Sequence, residues 1–155
     1  MPAICEIGET DLAYRIIKGT EYPSWGYTIK QGATTIWERW NGYTEEHGFE
    51  TPDMNSFNHY SLGSCVEWLY SYVLGVKLST GEKIVVSPSL SKELAFAKGE
   101  CMTYQGKVSI DWKYDDGKYF VKITADKDVS LECDFSRYEI ISINRIGNEV
   151  DAVLR

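Results

Sequence analysis

The apolar residues of this chain change their spacing between Gly75 and Gly81. Before this point they recur every three or four residues, as on one face of a helix; after it they alternate with polar residues, as along strands. Helices followed by strands indicate an α+β fold rather than alternating α/β units. We therefore predict two domains, a helical one over residues 1–78 and a β-rich one over residues 79–155.

The helical part contains three predicted helices. Thr10 or Glu9 can cap a helix that ends at Lys18, and a short helical piece follows Pro23 and reaches Lys30. The longest predicted helix is capped by Ser56, ends at Gly75 and is expected to be nearly buried. Residues 41–55 lack periodicity and are predicted to form an ordered loop.

The second part contains seven short alternating runs, which we interpret as the strands of an antiparallel β-sandwich. Two turns are indicated, at Asp115-Asp116-Gly117 and at Ile146 to Glu149. The predicted strands are Lys83 to Val86, Leu94 to Ala97, Lys107 to Tyr114, Lys118 to Ala125, Val129 to Cys133, Tyr138 to Ile143 and Glu149 to Leu154.

Charge and composition exclude several classes of function. The net charge of -7 argues against nucleic acid as a partner, because binding to phosphates requires clustered lysine and arginine. No run is long enough to span a membrane and the N-terminus has no signal-peptide pattern, so the expected location is cytoplasmic by default. The four cysteines have no zinc-type spacing and are interpreted as reduced core thiols rather than a disulfide framework. We expect no metal and no cofactor.

Aromatic residues and carboxylates are concentrated between Tyr22 and Tyr72. Within this region Glu38 lies between Trp37 and Trp40 and follows a β-branched run that favours an extended backbone, so Trp37 and Glu38 are expected to point to opposite sides. Aromatic rings stack on sugar faces, and carboxylates bind hydroxyls or transfer protons. The composition therefore indicates a sugar site, with an aromatic helical core as the alternative.

The order of three motifs resembles the bacterial α-L-rhamnosidases of glycoside hydrolase family 78. The resemblance spans the whole chain but only the last part of the family's length, and implies the end of an (α/α)6 barrel followed by a C-terminal β-sandwich. The motifs are Tyr22-Pro23-Ser24-Trp25-Gly26-Tyr27, then Gln31-Gly32-Ala33-Thr34-Thr35-Ile36-Trp37-Glu38-Arg39-Trp40, then Asn55-Ser56-Phe57-Asn58-His59-Tyr60 with Glu67-Trp68-Leu69 beyond it.

The resemblance also implies a chemistry, the inverting hydrolysis of terminal α-L-rhamnosides. Glu38 would be the general base, and His59, Trp37 and Trp40 would bind the substrate. The family's general acid lies in an upstream motif that has no counterpart here, so the chain alone is expected to be inactive. Asn41 also departs from the family, in which an aspartate is common.

Each of these assignments has a structural alternative. Glu38 could pair with Arg39 or Lys30 at the surface, and His59 could be a satisfied core residue. Trp37 and Trp40 could be packing residues rather than stacking platforms.

Two further hypotheses concern the whole chain. The β-sandwich could be a carbohydrate-binding or interaction module with Trp112, Tyr114 and Tyr119 on its surface. The apolar helix faces could also lack partners within this chain, which would favour a homodimer through the exposed helical face.

Overall fold

The helices predicted on either side of Gly19 are both present in the computed structural model, which describes residues 1–51, 53–77 and 82–155. The chain divides into two compact units. One comprises Met1 and Ala3–Val66, and the other comprises Pro2 and Glu67–Arg155. The predicted domain boundary between residues 78 and 79 lies outside the described residues and stays a prediction. The secondary structure is α+β, as predicted.

Helix α2 has the predicted bounds, Thr10–Lys18, with Glu9 at its N-cap position. It follows a first short helix that the sequence patterns did not predict, α1 (Pro2–Glu6). Only Ala13 and Tyr14 of α2 are buried. Leu12 and Ile16, which belong to the predicted apolar face, are 38% and 40% exposed. Much of the predicted apolar face is therefore uncovered in this chain.

Helix α3 (Trp25–Lys30) confirms the short helical piece after Pro23. The hydroxyl of Ser24 accepts a hydrogen bond from the backbone N–H of Tyr27 at 3.0 Å, which satisfies one of the free donors in the first turn. Within the predicted loop over residues 41–55, the described residues include a small hairpin of strands β1 (Tyr43–Thr44) and β2 (Gly48–Phe49). Strands of two residues are too short to produce an alternating pattern.

The prediction of one long buried helix from Ser56 to Gly75 is wrong. Instead there are α4 (Tyr60–Gly63), α5 (Cys65–Trp68) and a π-helical segment (Leu69–Val73). The first begins after His59, because the Ser56 carbonyl, which a helix would use, instead accepts the backbone N–H of Glu38. Nor is this region nearly buried, since Tyr60 is 86% exposed.

The described strands of the second unit are β3 (Val76–Lys77), β4 (Ile84–Val86), β5 (Phe96–Thr103), β6 (Gly106–Asp115), β7 (Lys118–Ala125), β8 (Leu131–Cys133), β9 (Ile140–Ile146) and β10 (Glu149–Leu154). Five of them form an antiparallel sheet in the order β5-β6-β7-β10-β9. A three-stranded sheet has the order β3-β4-β8, and its β4–β8 pair is parallel, which the sequence did not indicate.

Strand β5 is twice as long as the run predicted over Leu94 to Ala97. Its central residue Gly99 has no side chain, and a Cβ there would lie 2.5 Å from a methyl group of Leu74. A neighbouring side chain thus takes the place where an apolar residue of β5 would be expected. The alternating pattern is interrupted at this position although the strand continues.

The core of the second unit uses the inward residues of the central strands. In β6 these are Val108, Ile110 and Trp112, all at most 1% exposed. The indole N–H of Trp112 donates to the carbonyl of Val73 at 2.8 Å. The hypothesis of a surface site containing Trp112 is therefore wrong, because alternation along β6 directs this side chain inward.

The prediction that all four cysteines are core residues is also wrong. Cys5 is buried, whereas Cys65, Cys101 and Cys133 are partly exposed. Among the described residues, no helix has both the length and the hydropathy needed to cross a membrane.

Candidate active site

The two motifs that surround the predicted catalytic residue are hydrogen-bonded to each other. The backbone N–H of Glu38 donates to the carbonyl of Ser56, and that of His59 donates to the carbonyl of Ile36, both at 2.8 Å. The hydroxyl of Thr35 donates to the carbonyl of Phe57. Residues about 20 positions apart in sequence are thus fixed side by side, so the segment that carries Glu38 lies next to the segment that carries His59.

Glu38 is held by the backbone of the segment around Ser56 rather than by a cation. Its Oε2 accepts the backbone N–H of Ser56 at 3.0 Å. The surface-pair alternative is wrong, since Lys30 pairs with Glu21 at 3.1 Å and Arg39 donates to the Thr51 hydroxyl at 3.4 Å. Oε1 has no hydrogen-bond partner among the described residues. A half-buried carboxylate with one anchored and one unoccupied oxygen is suited to accept a proton from water.

Trp37 and Glu38 differ in burial as expected for neighbours on an extended segment. Trp37 is only 6% exposed. It packs edge-to-face against Phe57 and Tyr43, with ring centroids 5.2 and 6.4 Å away. This burial favours the packing alternative for Trp37, which supports the backbone that carries Glu38 and Ser56.

Trp40 lies in a second aromatic cluster and is less buried than Trp37. Its ring packs edge-to-face on Trp25 at 5.0 Å. The indole N–H of Trp25 in turn donates to the carbonyl of Leu62 at 3.0 Å, close to the end of α4. Trp40 is therefore the tryptophan of this motif that remains partly exposed, two positions after Glu38.

His59 caps helix α4. Its Nδ1 accepts the backbone N–H of Ser61 at 3.2 Å, which leaves Nε2 as the nitrogen able to donate to a ligand. The imidazole stacks on the ring of Tyr60, with centroids 5.4 Å apart and planes 6° apart. His59 is partly exposed, so the alternative of a buried core histidine is wrong.

Two contributors to the site were not predicted. Ser56 anchors Glu38 through its backbone, and Tyr60 extends the aromatic surface beside His59. Both belong to the motif Asn55 to Tyr60, which was the available signal, but helical spacing assigned them to a buried helix. A shallow cavity of about 310 Å³ nearby is lined by Trp25, Thr28, Ile29 and residues 33–36, and not by the four predicted site residues.

Comparisons with known proteins identify one matching family model and several similar enzymes. Residues 1–73 match the family model of the bacterial alpha-L-rhamnosidase 6 hairpin glycosidase domain. An alpha-L-rhamnosidase of Alteromonas sp. is 39% identical over 93% of this chain, which covers 16% of that protein. An alpha-L-rhamnosidase of Streptomyces avermitilis is 35% identical over 85% of this chain, which covers 13% of that protein.

Solved structures give the same result over nearly the whole chain. The crystal structure of Streptomyces avermitilis alpha-L-rhamnosidase complexed with L-rhamnose superposes on 99% of this chain with a TM-score of 0.78 and 29% identity, and the chain covers 16% of it. The alpha-L-rhamnosidase from Dictyoglumus thermophilum superposes with a TM-score of 0.72 and 27% identity, and the chain covers 19% of it.

The helical part of the chain, with its paired motifs, therefore defines a segment of a six-hairpin glycosidase domain. The strand-rich part continues the same match to solved enzymes. Over nearly its whole length the chain is similar to a C-terminal portion of the bacterial α-L-rhamnosidases. It spans about one sixth of the length of the curated relatives that it matches.

Proposed function

We propose that this chain supplies the general base of an α-L-rhamnosidase that hydrolyses terminal α-L-rhamnosides with inversion. The base is Glu38. The observation that carries the proposal is the hydrogen bond from the Ser56 N–H to Glu38 Oε2, which fixes the carboxylate while Oε1 stays available. The substrate class follows from the relatives, which are named as α-L-rhamnosidases.

Inversion requires a water molecule between the base and the anomeric carbon. Oε1 of Glu38 takes a proton from this water as its oxygen attacks, and a second carboxylic acid protonates the departing oxygen. In inverting enzymes the two carboxyl groups are about 6.5–9.5 Å apart. We infer that the acid belongs to the part of the enzyme outside this chain.

We assign sugar contacts to the side chains around Glu38. His59 Nε2 donates to a sugar hydroxyl, because Nδ1 is occupied by the Ser61 N–H. Trp40, which is partly exposed, packs against the apolar face of the sugar ring. Trp37, predicted as a third contact, acts mainly through its packing on Phe57.

The isolated chain is expected to lack hydrolytic activity. A missing general acid costs roughly 10²- to 10⁴-fold in rate, and the loss of an enclosed pocket adds to this. The measurement is release of the aryl group from a chromogenic α-L-rhamnoside by the purified chain. Turnover that disappears in Glu38→Gln would contradict the inferred position of the acid.

The role of Glu38 itself is tested in a chimera. The chain replaces the corresponding segment of the Streptomyces avermitilis enzyme, and an active chimera is compared with its Glu38→Gln variant. The expected result is a decrease of about 10²- to 10⁴-fold in kcat with little change in KM. Glu45→Gln, an exposed carboxylate of the nearby loop, is the matched control. Equal activity of the two variants would refute the assignment.

We further propose that the uncovered helical surface makes the isolated chain self-associate. Ile29 and Tyr60 are 67% and 86% exposed, in addition to the open face of α2. Apolar surface of this kind is normally covered. Sedimentation should then give a mass above 17.7 kDa that falls in Ile29→Lys. A monomer at high concentration would contradict this proposal.

A further inference from the structure

The outer face of the five-stranded sheet has an ordered arrangement of side chains. Residues that face each other across neighbouring strands form two rows at right angles to the strands. The first row is Lys98, Asp111, Lys122, Asp151 and Asn144, and the second is Phe96, Lys113, Phe120, Val153 and Ser142. On β6, β7 and β10 the residues between the two rows, Trp112, Val121 and Ala152, are buried, so the rows face away from the core on these strands.

The first row alternates hydrogen-bond donors and acceptors. Lys98 pairs with Asp111 at 3.6 Å, and Lys122 pairs with Glu149 on the adjacent strand. The hydrogen bond and the charge of Glu149, followed by the charge of Asp151, raise the pKa of Lys122, which keeps it a cationic donor. At the far end, the side chains of Asp151 and Asn144 have no hydrogen-bond partner among the described residues.

The second row adds an aromatic surface. Phe120 is 37% exposed, and the ammonium group of Lys113 lies 5.1 Å from its ring centroid. Between the rows is a shallow, open cavity of about 480 Å³ over β6, β7, β10 and β9. This volume is within the range of about 300–1,000 Å³ that is usual for small-ligand sites.

We propose that this face of the sheet is a second carbohydrate site, which binds a neutral saccharide outside the catalytic site. A sugar hydroxyl both donates and accepts, so a series of hydroxyls matches the sequence Lys122, Asp151, Asn144 along the row. The partly exposed ring of Phe120 packs against the C–H face of the pyranose, as aromatic rings in sugar sites do. The proposal does not depend on Glu38, which lies in the other unit.

Other small ligands fit this face less well. A phosphate or carboxylate would meet Asp111 and Asp151, and a metal ion would meet the ammonium groups of Lys113 and Lys122. An apolar ligand would leave the charged row without water. A neutral molecule with many hydroxyls can donate hydrogen bonds to the aspartates and accept them from the lysines.

The test is a titration of the ¹⁵N-labelled chain with L-rhamnose, methyl α-L-rhamnoside and D-galactose, followed by NMR. Any of the three should shift amide signals in residues 111–113, 120–122, 142–144 and 151–153. Asp151→Ala and Phe120→Ala should each weaken this binding by roughly tenfold, which corresponds to about 1.4 kcal/mol. The exposed Asp128 offers the matched control, because Asp128→Ala removes a carboxylate from the same unit away from the cavity.

The outcomes separate this site from the catalytic one. Shifts on the sheet that persist in Glu38→Gln support the proposal even if the catalytic assignment fails. Shifts confined to residues 36–40 and 56–60 would overturn it and leave the proposed catalytic site intact. The absence of sheet shifts with all three sugars at high millimolar concentration would also overturn it, as would equal binding by Asp151→Ala and Asp128→Ala.

Discussion

The orientation of Trp37 and Glu38 depends on local backbone preference, whereas the hydrogen bond that holds Glu38 depends on a distant residue. Glu38 and Trp37 were assigned to opposite sides from β-branched neighbours alone, and their different burial agrees with this. The anchor of Glu38 could not be predicted in the same way. Ser56 is 18 positions away and contributes a backbone N–H, which every residue except proline has. The presence of a serine at position 56 therefore gives no indication in the sequence that this residue contacts Glu38.

Trp112 is expected to be the side chain whose loss affects the second unit most. It is fully buried and its indole N–H is bonded to Val73. Trp112→Ala should lower the free energy of unfolding by about 3–5 kcal/mol. The measurement is a urea titration in which the NMR signals of the sheet residues report unfolding. Phe96→Ala, in which the ring is 65% exposed, should cost less than about 0.5 kcal/mol. Similar losses for the two variants would contradict this role.

Cys133 is expected to be the slowest of the partly exposed thiols to react. Burial raises its pKa to about 11, with a smaller opposing effect from the charge of Arg145. Since the thiolate is the nucleophile, alkylation by iodoacetamide should rise about tenfold per pH unit and level off only near that value. Peptide mass spectrometry of the folded chain, with the urea-unfolded chain as control, measures the rates. A plateau below pH 9 at Cys133 would disprove the expectation.

Secondary-structure elements were predictable where short-range signals decide them. The Asp115-Asp116-Gly117 turn joins β6 and β7 with Asp115 opposite Lys118, and both Asp116 and Gly117 have positive φ. This is the backbone that a two-residue hairpin loop requires. The helix expected from Ser56 begins only at Tyr60, because backbone groups of Ser56 and His59 are hydrogen-bonded to residues 38 and 36. A contact between distant segments overrides helical spacing there.

Two glycines should respond differently to the same substitution. At Gly117 (φ +73°) a Cβ meets no atom within 4 Å, so Gly117→Ala should cost only the backbone strain, about 1 kcal/mol. At Gly75 (φ +78°) a Cβ would lie 2.2 Å from the Pro88 nitrogen, so Gly75→Ala should cost about 2–4 kcal/mol. Urea denaturation compares them. A smaller loss at Gly75 would show that the chain relaxes around residue 88.

At the scale of the whole molecule, the two units have very different cores. Among the described residues, the buried hydrophobic side chains of the first unit are Cys5, Ala13, Tyr14 and Trp37, and all others belong to the second. The helices of the first unit are at most nine residues long, and short helices depend on tertiary packing. The chain covers about one sixth of its relatives, in which further residues are available to cover such helices.

Amide hydrogen exchange should therefore be slower in the second unit than in the first. Amides in the central strands of the sheet, such as those of Ile110 and Ile123, should exchange at least tenfold more slowly than those of Ala13 and Tyr14 in α2. The reason is that opening of the sheet exposes a large core, whereas opening of α2 exposes little. NMR or mass spectrometry in deuterated water measures the rates. Equal protection in both units would contradict the difference in cores.

The sequence by itself determined the α+β class, the helices on either side of Gly19, the hairpin turns and the resemblance to the α-L-rhamnosidases. These features depend on periodicity, turn residues and local motifs, which act over a few positions. Only the tertiary structure decided that Ser56 anchors Glu38, that Trp37 packs and Trp112 is buried, and that strand registers align Lys122, Asp151 and Asn144. Such contacts join residues that are distant in sequence, and no local pattern specifies which segments will meet.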